Sequence, residues 1–415
     1  MQLKRVNKKR IVITGIGVIA PNGIGKEQFW EALKEGRSGI KPISRFDTNG
    51  FKCKLGGEVS NFNPTVFLGS KGLKSLDRTA RLLCSAAKLA IEDAKITINY
   101  KNTDDIGVCT GTTLSSLWNI AEFDKGIIKD GPLFSDASLF PGTVVNAASS
   151  QVSIRFNIQG FNTTVSTGYT SSLDALKYAV DFIRLGRIKT VLVGGVESLS
   201  LASFIGFYCL GFLAGIKGRE LSCPFDKRRN GIILSEGASV VVIEDEEYAK
   251  KRKANIYAEI KGIGNYFDAF KMGKYNPEAE GLKESMKKAV RDSGLRFTDI
   301  DYINASANSV PEQDRLETKA IKDVFGRSAY NTPVSSIKSM IGEPYSAGGL
   351  FQISASVGSI VNNFIPPTIN YEVKDNNCAL DYVVNKSRIA RINNILINNF
   401  GPGGNNTSSI ISRYH

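Results

Sequence analysis

Histidine is almost missing from this sequence of 415 residues, since the single imidazole belongs to His415. Histidine is the side chain that most often accepts and donates protons near neutral pH. Composition alone therefore excludes any mechanism that needs an internal imidazole.

Paired cysteines are missing as well. The six cysteines stand far apart and form no C-x-x-C pair: Cys53, Cys84, Cys109, Cys209, Cys223 and Cys378. Without such a pair or a nearby histidine, a zinc site is not expected. We expect free, buried thiols in a reducing cytoplasm.

Long apolar runs are also lacking, because no stretch approaches the ~20 consecutive apolar residues of a membrane-spanning helix. The basic opening, MQLKRVNKKR, leads into a short apolar run without a small-residue cleavage site. We interpret it as a flexible lead rather than a signal peptide. The sequence predicts a soluble, cytoplasmic protein with no membrane partner.

The charges are not balanced, since 53 Lys and Arg against 40 Asp and Glu give a net charge of +13. This charge favours acidic partners through long-range attraction, although it can also serve only to solvate the surface. The basic clusters at 8–10 and 227–229 lack interleaved aromatic residues, so nucleic-acid binding is not favoured.

Apolar runs of strand length alternate with stretches of helix length along the whole chain. Residues 10–20 and 190–198 are typical of buried strands, whereas residues 78–94 and 311–325 have helical spacing. The alternation predicts an α/β protein with largely buried sheets. A charged stretch near residue 250 divides the chain into two similar halves, 1–250 and 251–415, which favours a structural duplication.

Gly15, Gly17 and Ala20 have the spacing of a dinucleotide-binding fingerprint. Pro21 and two more glycines follow where a helix should begin, and no acidic residue ends a second strand about 20 positions further on. Tight packing of the first strand is the favoured interpretation.

The segment VSTGYTSSLDAL (165–176) is typical of a strand, a sharp turn and a helix. Such an elbow holds one side chain above the N-terminus of a helix, where the dipole and free N–H groups activate a nucleophile. The residue at the apex is Tyr169, and a phenol with an ordinary pKa near ~10 attacks acyl groups poorly. The geometry is that of a catalytic site, but the chemistry is not.

The elbow resembles that of the β-ketoacyl-acyl-carrier-protein synthases of thiolase fold. Further blocks agree with that family in order and spacing over nearly the whole chain: RIVITGIGVIAPNG (10–23), FPGTVVNAAS (140–149), VLVGGVES (191–198), PFDKRRNGIILSEGASVVVIE (224–244), SSIKSMIGEP (335–344), PPTIN (366–370) and NNFGPGGNN (398–406). The resemblance implies a thiolase-like α/β fold, with two similar halves in a five-layer α-β-α-β-α arrangement.

The family joins an acyl group carried on a cysteine to malonyl units, and two histidines stabilise the developing negative charge. By resemblance, the cysteine position is Tyr169 here, and the two histidine positions are Ser306 and Glu343. The loss of all three catalytic residues implies that the scaffold survives without the condensing chemistry.

Other positions of the family site are partly kept. The resemblance places Asn308 and Val310 where the family has hydroxyl side chains that grip the pantetheine arm. It implies that Lys338 and Glu317 are a retained supporting charge pair, and Asp314 is retained too. The chain itself is expected to bind no cofactor, because the phosphopantetheine is attached to the carrier protein.

A ketosynthase-like chain without the chemistry resembles the chain length factors of type II polyketide synthases, which form heterodimers with an active ketosynthase. The implied function is to stabilise that partner and to set polyketide chain length, with an acidic acyl carrier protein as a further partner. Ordinary packing and a position at the end of the substrate tunnel explain four residues equally well: Leu114, Trp118, Leu139 and Phe140.

Two alternatives stay open on the sequence. The chain could decarboxylate malonyl-carrier protein or transfer an acyl group with a rebuilt site of Tyr169, Glu343 and Lys338, although no retained group replaces the missing oxyanion donors. It could also be a homodimeric module that binds a carrier protein or regulates another enzyme.

Overall fold

The computed structural model of the protein describes residues 9–271 and 273–415. Most of the basic lead expected before the first strand lies outside the described residues. The strands are β1 (Ile11–Ala20), β2 (Gly23–Ile24), β3 (Lys41–Pro42), β4 (Leu55–Gly56), β5 (Ile106–Gly111), β6 (Asn162–Val165), β7 (Thr190–Glu197), β8 (Gly237–Asp245), β9 (Ala258–Phe267), β10 (Tyr302–Asn304), β11 (Val334–Ser335), β12 (Phe364–Ile365), β13 (Arg388–Ile389), β14 (Asn394–Phe400) and β15 (Asn405–Arg413).

The α-helices of the described residues alternate with these strands. They are α1 (Lys26–Glu35), α2 (Thr65–Leu68), α3 (Arg78–Asp93), α4 (Leu117–Asp130), α5 (Ala147–Phe156), α6 (Ser171–Arg184), α7 (Leu201–Cys209), α8 (Glu246–Lys251), α9 (Glu280–Ser293), α10 (Pro311–Phe325), α11 (Lys338–Ile341) and α12 (Gly348–Asn362).

The main sheet consists of two half-sheets with the same internal order. The first runs β6-β5-β7-β8-β1, and the second runs β11-β10-β14-β15-β9. In each half the first three strands are parallel and the last two pair antiparallel. The halves join where β1 pairs antiparallel with β9. The same order in each half supports the expected duplication, and the chain passes from one half to the other between Asp245 and Ala258.

Helices cover the half-sheets in five layers. Helices α3 and α5 pack on the first half-sheet, and α9 packs on the second with α10 beside it. Helices α6 and α12 lie between the halves, because both contact strands from each half-sheet. The predicted thiolase-like α/β arrangement is confirmed.

Helix α12 is missing from the sequence-based prediction. Nearly all of its side chains are buried, on every face of the helix. A helix buried on all sides lacks the alternation of polar and apolar residues by which amphipathic helices are recognised. Small residues allow the close fit, since a Cβ at Gly358 would overlap the ring of Trp30.

The glycines of the first strand also have a packing function. Gly15 and Gly17 lie inside β1, not in a turn between a strand and a helix, and both face α3. A Cβ at Gly17 would overlap the backbone carbonyl oxygen of Ala86 in that helix. Tight packing, not dinucleotide binding, therefore explains this spacing.

The cysteine side chains mostly have the burial that the sequence predicts. Five cysteines are buried, as expected, but Cys209 is exposed at the end of α7, where the prediction of a buried thiol is wrong. Burial raises the pKa of the Cys84 thiol to about 12.

No helix in the described part of the chain is both long and apolar enough to span a bilayer.

Replacing Gly17 with alanine should destabilise the protein, because the new methyl group meets backbone that cannot rotate away. We expect the free energy of unfolding to fall by roughly 2–3 kcal/mol, measured by urea denaturation. Gly206→Ala in α7 is the matched control, since a Cβ there meets no atom within 4 Å. Equal effects of the two substitutions would contradict the packing interpretation.

Candidate active site with a substituted nucleophile

The predicted elbow is present. Strand β6 leads into a single 3-10 turn, Gly168–Thr170, and α6 begins at Ser171. Gly168 has a φ of +69°, which only glycine adopts without strain. A hydrogen bond of 2.6 Å, which the Thr167 hydroxyl donates to the Asp174 carboxylate, stabilises the turn. The backbone thus presents the side chain of Tyr169 at the start of α6.

Tyr169 is buried, with 5% of its surface exposed. Its ring packs edge-on against Tyr345, with the ring centroids 4.5 Å apart, and against the backbone of Gly401. A Cβ at Gly401 would overlap the tyrosine ring, so the glycine-rich turn after β14 makes room for this side chain. Burial, with a further contribution from the charge of Glu343, raises the pKa of Tyr169 well above 10. The phenol is therefore neutral at physiological pH.

Glu343 stands next to this ring in a buried ion pair. The Lys338 Nζ lies 2.8 Å from Glu343 Oε2, and the Asn308 side-chain amide donates to the same oxygen at 2.8 Å. Both charged side chains are 1% exposed. The second oxygen, Glu343 Oε1, has no hydrogen-bond partner, and the structure shows no hydrogen bond between it and Tyr169. The site thus holds a buried carboxylate with one unpartnered oxygen.

Lys338 forms its ion pair with Glu343, whereas its charge acts on Glu317 without an ion pair between the two described side chains. Glu317 instead accepts hydrogen bonds from the backbone N–H groups of Ser306 and Ala307, at 2.9 and 2.8 Å. Burial raises the pKa of Glu317 to about 7. Its role in the structure is to fix the backbone at Ser306 and Ala307.

Asp314 fixes the following residues in the same way. It accepts from the backbone N–H groups of Asn308 at 3.0 Å and of Phe225 at 2.8 Å. Burial raises its pKa to about 6, and the nearby Arg229 opposes that shift. Asp314 and Glu317, both in α10, thus anchor the backbone of residues 306–308.

The space around Ser306 is filled by Gln313, which the sequence analysis did not single out. The Gln313 amide donates to the backbone oxygen and to Oγ of Ser306, both at 3.2 Å. Its carbonyl oxygen accepts from the Tyr275 hydroxyl at 2.6 Å and from Asn308 at 3.2 Å. The sequence feature that could have identified Gln313 is its position beside Asp314, seven residues after Ser306.

A cleft of about 430 Å³ opens on the other side of Tyr169. Its lining is mostly apolar and includes Leu114, Phe207, Tyr345 and Gly401. Ser306, Lys338 and Glu343 are absent from that lining. Tyr169 thus lines the cleft, whereas the buried ion pair does not.

The four tunnel candidates do not come together. Leu114 lines the Tyr169 cleft, whereas Trp118 and Leu139 line a second cleft of about 440 Å³. Phe140 lines neither, and it is exposed with its ring 5.8 Å from that of Phe123. Val310 lies elsewhere, in a third cleft with Phe212.

Glu197, at the end of β7, fixes the backbone of Leu114, which lines the Tyr169 cleft, and the sequence analysis did not single it out. It accepts from the backbone N–H groups of Thr113 at 2.8 Å and of Leu114 at 3.1 Å, and from the Ser346 hydroxyl. Burial raises its pKa to about 7. The sequence feature that could have identified Glu197 is an acidic residue at the end of a buried strand.

The raised pKa of Glu197 predicts a pH-dependent stability. The folded protein binds the proton on the Glu197 carboxyl more tightly than the unfolded chain does. The contribution of this proton to the free energy of unfolding is therefore fully present below pH 4.5 and is lost as the pH rises toward 7. Between pH 5 and 7, the unfolding free energy of the wild type should fall more steeply than that of Glu197→Gln, by up to about 1.4 kcal/mol per pH unit. Parallel curves in denaturant titrations would contradict this assignment.

Two family models together match most of the chain. Residues 8–249 match the family model of the N-terminal domain of beta-ketoacyl synthase, and residues 257–372 match that of its C-terminal domain. The chain is 38% identical over 411 residues to the 3-oxoacyl-[acyl-carrier-protein] synthase 2 of Coxiella burnetii, covering 98% of this chain and 99% of the relative.

Two solved structures are similar over the whole fold. The ishigamide ketosynthase/chain length factor matches with a TM-score of 0.92 and 31% identity, covering 98% of this chain and 100% of that one. A type II polyketide synthase acyl-carrier protein in complex with its ketosynthase, bound to the hexaketide, matches with a TM-score of 0.90 and 29% identity, over 99% and 100% of the two chains.

Proposed function

The chain belongs to the beta-ketoacyl synthase family, and from this premise we propose that it is a non-condensing subunit of chain-length-factor type. It pairs with an active ketosynthase, stabilises that partner and sets the length of its polyketide product. The observation that carries the proposal is Tyr169, a neutral and buried phenol at the position of the nucleophile.

The chemistry at the elbow supports this proposal. Acyl transfer needs a nucleophile that is activated by a low pKa or by an adjacent base. The pKa of Tyr169 is raised instead, and no histidine is available beside it. A Tyr169 anion is thus disfavoured twice, by burial and by the charge of Glu343.

The charge next to the elbow supports it as well. Condensation develops negative charge on a thioester oxygen, which neutral or cationic donors stabilise. Glu343 offers a carboxylate with an unpartnered oxygen at the position of one such donor. Gln313 fills the space of the other, around Ser306. The same features argue against the alternative of a decarboxylase or acyltransferase with a rebuilt site.

One face of the chain is suited to a second ketosynthase-like subunit. We call it the partner face, and it consists of exposed apolar side chains of α4, of the turns that follow it and of α5, which packs on strand β6: Ile128, Leu133, Phe134, Phe140, Val144 and Ile154. Leu133 and Phe134 are 91% and 78% exposed. Strand β6 ends the sheet and pairs on one side only, with β5, among the described strands. Exposed apolar area and an open strand edge are both features of interaction surfaces.

The carrier protein is the second partner in this proposal. The net charge of +13 attracts an acidic protein, and the family's substrates reach the enzyme on the phosphopantetheine of an acyl carrier protein. In the proposed complex, the carrier protein delivers substrate to the active subunit, and this chain binds no cofactor of its own.

A reconstitution experiment tests the proposal. The purified chain alone should neither become acylated nor release CO₂ from malonyl-carrier protein, measured by intact-protein mass spectrometry and a CO₂ assay. Mixed with an intact ketosynthase of a type II polyketide synthase, the chain should form a one-to-one complex that elongates substrate. Elongation or stable acylation by the isolated chain would overturn the proposal.

The partner face provides the matched variants for that complex. Phe134→Asp should weaken the association at least 10-fold by placing a charge in the interface, without changing the unfolding free energy of the isolated chain. Tyr100→Asp is the control, because Tyr100 is equally exposed in the loop between α3 and β5. Size-exclusion chromatography at graded concentrations measures both.

The side chains at the two clefts should determine product length if this chain measures it. Leu114→Ala and Trp118→Ala each remove bulk from one cleft, and a rigid, close-packed pocket then has room for further two-carbon units. We expect longer or more varied products by mass spectrometry of the reconstituted complex. A residue whose replacement leaves the products unchanged has no part in setting their length.

A further inference from the structure

Three asparagines of the chain are followed directly by glycine: Asn22, Asn49 and Asn230. Glycine has no side chain, so its backbone nitrogen can approach the side-chain carbonyl carbon of the asparagine before it. Attack by that nitrogen converts the asparagine without an enzyme, provided that the backbone can bend and both groups are free. The tertiary structure therefore decides which of the three asparagines reacts.

Asn230 and the glycine after it are held by hydrogen bonds. The Asn230 amide donates to the Arg219 carbonyl oxygen at 2.8 Å, and its side-chain oxygen accepts from the Gly215 backbone N–H at 2.9 Å. The Gly231 N–H donates to the Ser309 carbonyl oxygen at 2.9 Å. Breaking these hydrogen bonds costs free energy, so neither reacting group is available in the folded protein.

Asn22 lies in the tight turn between β1 and β2. Gly23 pairs with Ala20 across this turn. A Cβ at Gly23 would lie only 2.8 Å from the backbone nitrogen of Phe29 in α1, and the side-chain oxygen of Asn22 is buried. The backbone at this position therefore has no room for the bend that the reaction needs.

Asn49 and Gly50 are free of such restraints. Both are exposed, in the loop between β3 and β4. Neither the Asn49 side chain nor the Gly50 N–H forms a hydrogen bond with any residue that the structure describes. A Cβ at Gly50, where φ is +85°, would meet no atom within 4 Å. The backbone of this pair can therefore bend without meeting other atoms.

The loop that contains Asn49 also supports helix α7. Phe46 and Phe51, one on each side of Asn49, have their ring centroids 5.4 and 5.3 Å from that of Phe204. Phe51 also packs edge-on against Tyr208, with the centroids 5.0 Å apart. Other residues of α7 line the Tyr169 cleft. The loop thus supports one wall of that cleft.

We propose that Asn49 is a site of spontaneous deamidation, and that its rearranged product weakens the packing of this loop on α7. The backbone nitrogen of Gly50 forms a bond to Cγ of Asn49. The bond from Cγ to the side-chain nitrogen breaks, and that nitrogen leaves as ammonia with the proton of the Gly50 N–H. The product of this step is a five-membered succinimide ring.

Water then opens the ring. It adds to one of the two ring carbonyl carbons, the bond from that carbon to the Gly50 nitrogen breaks, and the nitrogen regains a proton. One opening gives aspartate, and the other gives isoaspartate, whose backbone is one atom longer. Isoaspartate therefore changes the spacing between Phe46 and Phe51, the two rings that pack on Phe204. Both products replace a neutral amide with a carboxylate and need no oxidant or reductant.

Peptide mapping by mass spectrometry tests the assignment. The isolated chain is incubated at neutral pH, and conversion of each asparagine is followed from the mass increase when an amide NH₂ becomes OH. We expect conversion of Asn49 to be at least about 10-fold faster than that of Asn22 or Asn230, because those two sites must first open locally. In urea, where the chain is unfolded, the three rates should become similar.

Hydrogen exchange of the α7 backbone amides tests the effect on packing. Exchange should become at least about 2-fold faster after incubation of the wild type. Asn49→Gln is the matched variant and should not change, because its longer side chain needs a six-membered ring and reacts far more slowly. Asn49→Asp adds the charge without lengthening the backbone, and it should exchange as fresh wild type does.

Two results of peptide mapping would overturn the assignment. One is equal conversion of the three asparagines in the folded protein, and the other is no conversion of Asn49 in the time that converts it in urea. Unchanged exchange of α7 in protein that contains isoaspartate at position 49 would refute the effect on packing. These assays use the isolated chain, so their failure is distinguishable from failure of the chain to pair with a ketosynthase.

Discussion

The burial of helices α6 and α12 between two half-sheets is the constraint on which the site depends. The two helices meet at their N-terminal ends, where the backbone N–H of Leu350 donates to the Ser172 hydroxyl at 3.2 Å. Helix α6 starts directly after Tyr169, and α12 starts shortly after Glu343. Packing the two helix ends together therefore places the phenol and the carboxylate next to each other, whatever chemistry they support.

The buried ion pair of Lys338 and Glu343 stabilises the interior of the site. Two charges in a dry interior are stable only when they are paired and hydrogen-bonded, and losing one partner is costly. Asn308 and Lys338 satisfy one carboxylate oxygen, while the hydrogen bonds of Gln313 and Tyr275 close the adjoining space. The interior at this point is a mutually dependent set of polar contacts, so it has structural reasons to be kept.

Family membership and activity are separate statements for this chain. The relative in Coxiella burnetii is named as a synthase and shares 38% of its residues with this chain, and the fold agrees with ketosynthase structures over its whole length. A fold constrains where a site lies, while a few side chains determine what it does. The proposed function of this chain rests on Tyr169, Ser306 and Glu343, three side chains that a global identity value does not register.

Local patterns determined much of this protein. The alternation of apolar and amphipathic segments predicted the α/β fold, the small residues around Tyr169 predicted the elbow, and composition excluded histidine catalysis. Each depends on residues close together in the chain. The tertiary structure alone decided that Lys338 pairs with Glu343, that Gln313 fills the space at Ser306, and that Leu114 and Trp118 line different clefts. Those outcomes depend on which distant segments pack together, and helix α12, buried on every side, carries no periodic signal of where it lies.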